Sequence, residues 1–442
     1  MAGSKVAKNS ITHSKNRCIH IQSTDNIDIV DNVAYETYGH CFALQDGTET
    51  GNIFLSNLGA VTRKATLPIM GESDSIHAAT FYIGAPENTW QNNVAGGSEV
   101  YGYLFETNSQ AIVTLFDGNV AHSNIEAGIG ANGYAPSSAS TLSSTRSFRN
   151  AGKGFQLNTA SNLILEGGSL SDNRMSVEVR TSTDITVKDI NVIGQSSIYK
   201  NMAVLVSGTP DLCSGYSTGP SVSGLGVYPD GTTLIVENVY FSGFTDSSGC
   251  QPSAGDTAAI TIMLSALGGG HSFSSTVNIV SAIFEELSDP DDEIKMCLAT
   301  SSGIYNVQIF DSAGSLNPDN SGAGTVISED MICSSTLIDM PGSCAKYCVG
   351  TVSEGSGPSS STNSTEAPPA VPPQETTCLS NGNFEGSDLT PWQALPVNAV
   401  QAELVPGIGD EGTAVLLNDR THQSRGGIYQ NIDSLCLEVD SW

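Results

Sequence analysis

Basic residues are scarce in this 442-residue chain: 17 Lys and Arg stand against 46 Asp and Glu, a net charge of −29. That balance argues against a nucleic-acid partner, because nucleic-acid binding depends on cations that neutralise phosphates. Charge of either sign is sparse as well, at 14% of residues, whereas glycine alone supplies 46 positions. A chain poor in charge and rich in Gly, Ser, Thr and Asn suits extended strands joined by many turns rather than helices. No stretch reaches the roughly 18 apolar residues of a membrane-spanning helix. The first 17 residues contain none of the apolar core of a secretory leader. No two of the ten cysteines are spaced C-x-x-C, which argues against zinc ribbons and thioredoxin-like redox chemistry.

An even cysteine count in an acidic, Ser/Thr-rich chain points to an oxidising compartment, so an extracellular or cell-surface location is expected. With no leader in view, the expectation is a piece of a longer secreted protein.

Self-similarity organises most of the chain. Cys18-Ile-His-Ile-Gln22 aligns with Cys41-Phe-Ala-Leu-Gln45 at an offset of 23, and Phe155-Gln-Leu157 aligns with Val177-Glu-Val179 at 22. Asn162–Leu165 against Asp184–Val187 again gives 22. A period of this size is that of a solenoid with two or three short strands per unit. Polar-Asn pairs end strands at Asp31-Asn32, Ser56-Asn57, Asn92-Asn93, Ser123-Asn124, Asp172-Asn173 and Glu237-Asn238. Asparagine tolerates left-handed backbone and bonds neighbouring turns through its amide. Stacked coil on coil, these residues predict one internal hydrogen-bonded ladder. The fold expected is all-β: a right-handed parallel β-helix over residues 10–350, followed by a partial, jelly-roll-like β-sandwich. Insertions are expected at Arg63–Ser75 and Gly128–Thr145, on a face suited to binding. Residues 351–377 are a Ser/Thr/Pro-rich linker carrying the glycosylation sequon Asn363-Ser-Thr365. A separate module starts at Cys378.

Residues 31–106 carry the most specific pattern: Tyr38-Gly-His-Cys-Phe42, Asp46-Gly47, Glu49, Gly51-Asn52, then Ala79 through Pro86, Asn88, Asn92-Asn93, Ala95, Gly102 and Glu106. This run resembles the β-helix region shared by fibrocystin-like proteins and cell-surface hyaluronidases. The resemblance implies an extracellular, glycan-facing β-helix, linked in some members to hyaluronan breakdown. Cys344 and Cys348 resemble the closing segment of the same region more loosely. Residues 378–442, with Asn381, Asn383-Phe-Glu385, Trp392, Gly412, Arg420, Gly427 and Gln430, look like a CenC-type carbohydrate-binding module. At 65 residues they make up about half of a sandwich.

His40, Asp46 and Glu49 lie within ten residues of one another and are the candidate catalytic group, with Asp31 and Glu36 one turn earlier. Glycosidic cleavage requires paired carboxylates, one as acid and one as base or nucleophile. A lyase would instead need a base beside a cation, a role open to Arg63 and Lys64. The plain alternative is that Asp46-Gly47 is a turn and Glu49 a solvated surface group. Cys18 and Cys41, flanked by His20 and His40, are open to three readings: a core ladder, a disulfide, or a metal site. His77 and His122 read as isolated surface residues. Asp289-Pro-Asp-Asp-Glu293 has calcium-binding oxygens but neither the ligand spacing nor the central glycine of a calcium loop. No metal or other cofactor is therefore implied. In the last module Trp392, Arg425 and Tyr429 are candidates for stacking on sugar rings and bonding their hydroxyls, with a core role the alternative for Trp392. The expected partner is a polysaccharide or glycoprotein glycan. The expected activity, if any, is hydrolysis of glycosyl bonds; a non-catalytic adhesion or matrix protein is the rival class.

Overall fold

The computed structural model describes residues 3–45, 47–67, 73–107, 109–196, 222–228, 231–244, 258–264, 273–287, 294–298, 305–315, 325–328 and 344–346, and four short strands from 393 to 429. The chain divides into two compact units, residues 1–358 and 359–442. Every regular element among the described residues is a strand, and no helix is long and apolar enough to cross a membrane.

Three strands make one coil of the first unit. Ile27–Val30, Val33–Tyr38 and Phe42–Leu44 form the second coil. Ile53–Leu55, Leu58–Arg63 and Ala79–Ile83 form the third, and Thr89–Gln91, Val94–Gly96 and Tyr101–Glu106 the fourth. Each strand pairs in parallel with its counterpart one coil on, so three sheets run along the axis as a parallel β-helix. The third sheet continues through eleven strands, from Ile19–Ile21 to Cys344–Lys346, the last antiparallel. All three offsets read from the sequence are the true register. Ile19 pairs with Phe42, Phe155 with Val177, and Leu163 with Ile185.

The interior follows from strand alternation. Phe42, Phe81 and Tyr103 face inward on successive strands of the third sheet. Their rings stack at 4.9 and 4.8 Å between centroids, the spacing of the strands themselves. Phe54 lies on Trp90 at 4.0 Å, and all five rings are fully buried.

Asparagine stacking is present, but as two long ladders rather than one. Asn9, Asn32, Asn57, Asn93 and Asn119 form the first, between the first and second sheets. From Asn32 onward each Oδ1 accepts both the backbone N–H and the amide of the residue one coil below, at 2.9–3.2 Å. Each amide also donates to a core-strand carbonyl, as Asn57 does to Ile29. Ser98, Asn124, Asn150 and Asn173 form the second ladder, at the next corner. Asn124 and Asn173 therefore leave the series in which the sequence places them, and Asn238 lies exposed outside both. The left-handed residue is the one before each Asn. Lys8, Asp31, Ser56, Asn92 and Gly118 precede the first ladder, and Gly97, Ser123, Arg149 and Asp172 the second, all at positive φ. That residue turns the corner while its successor, back in extended geometry, aims its amide inward.

The expected insertion at Gly128–Thr145 is mostly strand: Ala127–Asn132 and Ser140–Phe148 occupy it, leaving only 133–139 as loop. Gly128 has a packing reason, since a Cβ there would strike Ser147 Oγ and the Gly154 carbonyl. The insertion after Arg63 is real. Its described parts, residues 64–67 and 73–78, are called the strap; they follow the second sheet and precede the third. The second unit shows two antiparallel strand pairs, Gln393–Ala394 with Ile428–Tyr429 and Ala402–Pro406 with Thr413–Leu417.

Candidate functional site

The strap brings Ser73, Asp74 and His77 onto the outer side of the third sheet. Glu106 meets them there as the last, outward residue of Tyr101–Glu106. His77 Nδ1 lies 2.7 Å from Glu106 Oε1, and Ser73 Oγ donates to Glu106 Oε2. Ser73 Oγ also lies 3.3 Å from Nε2 of His40. A carboxylate only accepts, so the Ser73 hydroxyl proton is committed to Glu106, and His40 Nε2–H must be the donor to Ser73. His40 thus carries its lone pair on Nδ1, which is buried and has no hydrogen-bond partner among the described residues. The His40 ring stacks on Tyr82 at 4.0 Å, and the Tyr82 hydroxyl donates to the Glu106 carbonyl at 3.3 Å.

The protonation states follow from this arrangement. Burial, with the Arg17 and His77 charges, holds His40 well below the usual histidine range, so it is neutral. The Glu106 hydrogen bond raises His77, outweighing its partial burial. Burial pushes the Glu106 carboxyl up, but the bonds from His77 and Ser73 and the His77 charge bring it below its ordinary value. His77 and Glu106 are 35% and 26% exposed, so this pair, rather than His40, meets solvent.

Beside them the outer face continues across later coils. The Tyr101 ring lies edge-on to His77, with centroids 6.0 Å apart, and burial pushes its hydroxyl up to about 12. That hydroxyl donates to Gln156 Oε1 at 2.9 Å. Gln156 Nε2 and Lys153 Nζ both donate to Glu126 Oε1, at 3.3 and 2.7 Å.

The residues nominated from the sequence are spread around the coil. His40 belongs to the cluster. Asp46 lies outside the described residues. Glu49 is buried in the turn after Phe42–Leu44, where its carboxylate accepts from the Ser23 backbone N–H at 3.1 Å, so it is not a solvated surface group. Asp31 sits at a corner with positive φ. Glu36, on the second sheet, pairs with His13 at 3.3 Å and Arg63 at 3.5 Å. Of the cations, Arg17 bears on His40 and Lys64 on His77, whereas Arg63 pairs with Glu36 on the second sheet. Cys18 and Cys41 form a disulfide, which decides among the three readings. His122 stacks on Phe148 at 5.1 Å, and His77 is paired rather than isolated. Among the described residues no group of three or more metal-ligating side chains is gathered. Trp392, Arg425 and the acidic run 289–293 lie outside the described residues, and Tyr429 is placed only by its strand, opposite Gln393.

His77, Ser73 and Glu106 escaped nomination because a loop brings them together across 29 and 33 residues of sequence. One signal was available: an insertion on the solenoid followed by a carboxylate at an outward strand position.

Residues 1–114, the stretch holding this cluster, match the family model described as the CEMIP β-helix. A cell surface hyaluronidase of Danio rerio is 32% identical over 157 residues, covering 27% of this chain and 11% of that protein. Fibrocystin-L of Mus musculus is 30% identical over 119 residues, covering 27% of this chain and 3% of its own. The chain therefore spans about a tenth or less of these relatives' length. Among solved structures, the A-module of the Azotobacter vinelandii mannuronan C-5 epimerase AlgE4 shows 14% identity and a TM-score of 0.29, covering 70% of this chain and 79% of that one. Over residues 1–114 the chain is thus similar to the CEMIP β-helix family, and over about a quarter of its length to cell surface hyaluronidase and fibrocystin-L.

Proposed function

We propose that this chain is an extracellular carbohydrate-active protein whose third sheet binds a polysaccharide on its outer face and hydrolyses glycosyl bonds there. The observation that carries the reading is the His77–Glu106 pair, part-exposed and flanked by Tyr82 and Tyr101, with neutral His40 behind it. In this assignment Glu106, held by His77 and Ser73, is one of the two groups that flank the scissile bond, while His40 acts through Ser73. Glycosidic cleavage ordinarily uses two carboxylates. Glu126, bonded by Lys153 and Gln156 on the same face, and Asp46 are the candidates for the second. The module from Cys378, through Trp392, Arg425 and Tyr429, would hold the same glycan.

One observation favours the rival reading, glycan adhesion without cleavage. His40, Glu49 and Asp74 are 0%, 1% and 0% exposed, so among them and Glu106 only Glu106 offers a carboxylate to solvent. The test is to incubate the full chain with a panel of polysaccharides, assay new reducing ends and unsaturated products, and repeat with Glu106→Gln and His77→Gln. Hydrolysis lowered by about 10²–10⁴-fold in either variant supports the assignment. Retained binding with no product on any glycan establishes adhesion instead.

A further inference from the structure

Three pairs of consecutive residues meet beneath the strap. Arg17-Cys18 comes from the first coil, His40-Cys41 from the second, and Ser73-Asp74 from the strap. Cys18 is joined to Cys41, His40 meets Ser73, and Arg17 meets Asp74 at 3.3 Å. Asp74 is 0% exposed and Arg17 8%, so this is a desolvated ion pair rather than a surface one. Asn16 Nδ2 adds a bond to Asp74 Oδ2 at 2.9 Å, and an Arg17 guanidinium nitrogen donates to Gln45 Oε1 at 3.2 Å. Breaking a buried pair on one side strands the other charge, which makes such a pair a strong registration device. Directly after Asp74 the chain turns tightly, with the amides of Ile76 and His77 donating to the Ser73 carbonyl, and so delivers His77 to Glu106.

We infer that Arg17 and Asp74 are positioning residues for the His77–Glu106 pair, and that the Cys18–Cys41 disulfide holds Arg17 where it can do this. Arg17 and Asp74 act by fixing the strap one residue from Ser73 and three from His77. The inference concerns the site of the proposed function, but its test needs no substrate.

The readout is the titration of the His77 ring, followed by NMR in full-length protein labelled at histidine and assigned with His77→Gln. The charged groups that bear on His77 are Glu106 and Glu126, which raise it, and Lys64, which lowers it. His40 and Tyr101 are the neighbouring rings. In the unaltered protein His77 titrates above the ordinary histidine value. Arg17→Met, Asp74→Asn and the paired Cys18→Ser, Cys41→Ser variant are each expected to bring it back to that value, with the strand circular-dichroism signal retained. Arg17→Lys, which keeps the charge, is expected to restore part of the shift. An unchanged His77 titration in folded Arg17→Met overturns the inference, as does a shift lost equally in Arg17→Lys and Arg17→Met. If the shift collapses as expected while no glycan binds the unaltered protein, the positioning role stands and the carbohydrate reading falls.

Discussion

At the scale of single residues, the division of labour at the corners is the informative feature. In each ladder the amide and the left-handed backbone belong to neighbouring positions, so an Asn residue is not what enforces the turn. The left-handed position is filled by residues as varied as Lys8, Asp31 and Arg149. Val61 is the aliphatic residue among them: a β-branched hydrocarbon side chain at φ 59°, in the row that Glu36, Gly97 and Ser123 fill on nearby coils. Left-handed backbone costs an ordinary L-residue roughly 1–2 kcal/mol, and Asn bears it best among non-glycines. Val61→Asn is therefore expected to stabilise the protein by about 1 kcal/mol, read as a shift of the urea midpoint at constant slope. A loss of stability would mean that the isopropyl group contributes more by packing than the backbone loses. The sequence displayed the polar-Asn pairs but not which ladder each one joins. That depends on the sheet a strand belongs to, and Asn93 stacks on Asn119 rather than on Asn124.

Among the elements, the strap is the piece on which the site depends. Two kinds of contact hold it: the Arg17–Asp74 pair and the titratable His77–Glu106 pair. Their pH dependences have defined signs. His77 is raised, so its contribution is complete below the ordinary histidine value and is lost as pH climbs through the folded-state value. Glu106 is lowered, so its contribution is complete above the ordinary carboxylate value and is lost as pH falls through the folded-state value. Hydrogen-exchange protection factors of the Ile76 and His77 amides should therefore be greatest between about pH 4.5 and 6.5 and fall on either side. A flat profile would show that contacts other than the His77–Glu106 pair, Arg17–Asp74 among them, hold the strap. The insertion itself was legible as a surplus in the coil spacing. Its destination was not, because nothing between Arg63 and Ala79 in the sequence names Glu106 as the partner.

The described coils of the first unit form a one-dimensional stack in which strand pairing links each coil to its neighbours. Single side-chain contacts such as Arg17–Asp74 and Tyr101–Gln156 reach one coil further. The Cys18–Cys41 disulfide lies at the first-to-second coil junction, closing a separation of 23 residues. A loop of that length stabilises by roughly 3 kcal/mol when crosslinked, on the chain-entropy estimate. In a stack that stabilisation is local. Reduction, or the paired Cys18→Ser and Cys41→Ser change, should strip exchange protection from Ser4–Ile21 and from the strap that Arg17 pins, and leave the strands of the coils after Ile53 protected. Global unfolding on reduction would contradict the nearest-neighbour picture. Charge is also distributed unevenly at this scale. The first 188 residues hold 12 of the 17 basic residues but only 17 of the 46 acidic ones, so the coils carrying the candidate site are far closer to neutral than the chain as a whole.

The sequence by itself determined the architecture. A period of 22 to 23 residues and inward alternation along each strand leave a solenoid as the arrangement that buries every apolar face, and strand pairing can follow only the register the repeat dictates. The tertiary structure alone decided the site. His40, Ser73, His77 and Glu106 come from two strand ends and one insertion on different coils. Their proximity is a consequence of stacking about 4.8 Å per coil and of a buried ion pair that pins the strap. Periodicity reports which residues face outward, whereas the meeting of particular outward side chains is fixed only once the coils are wound.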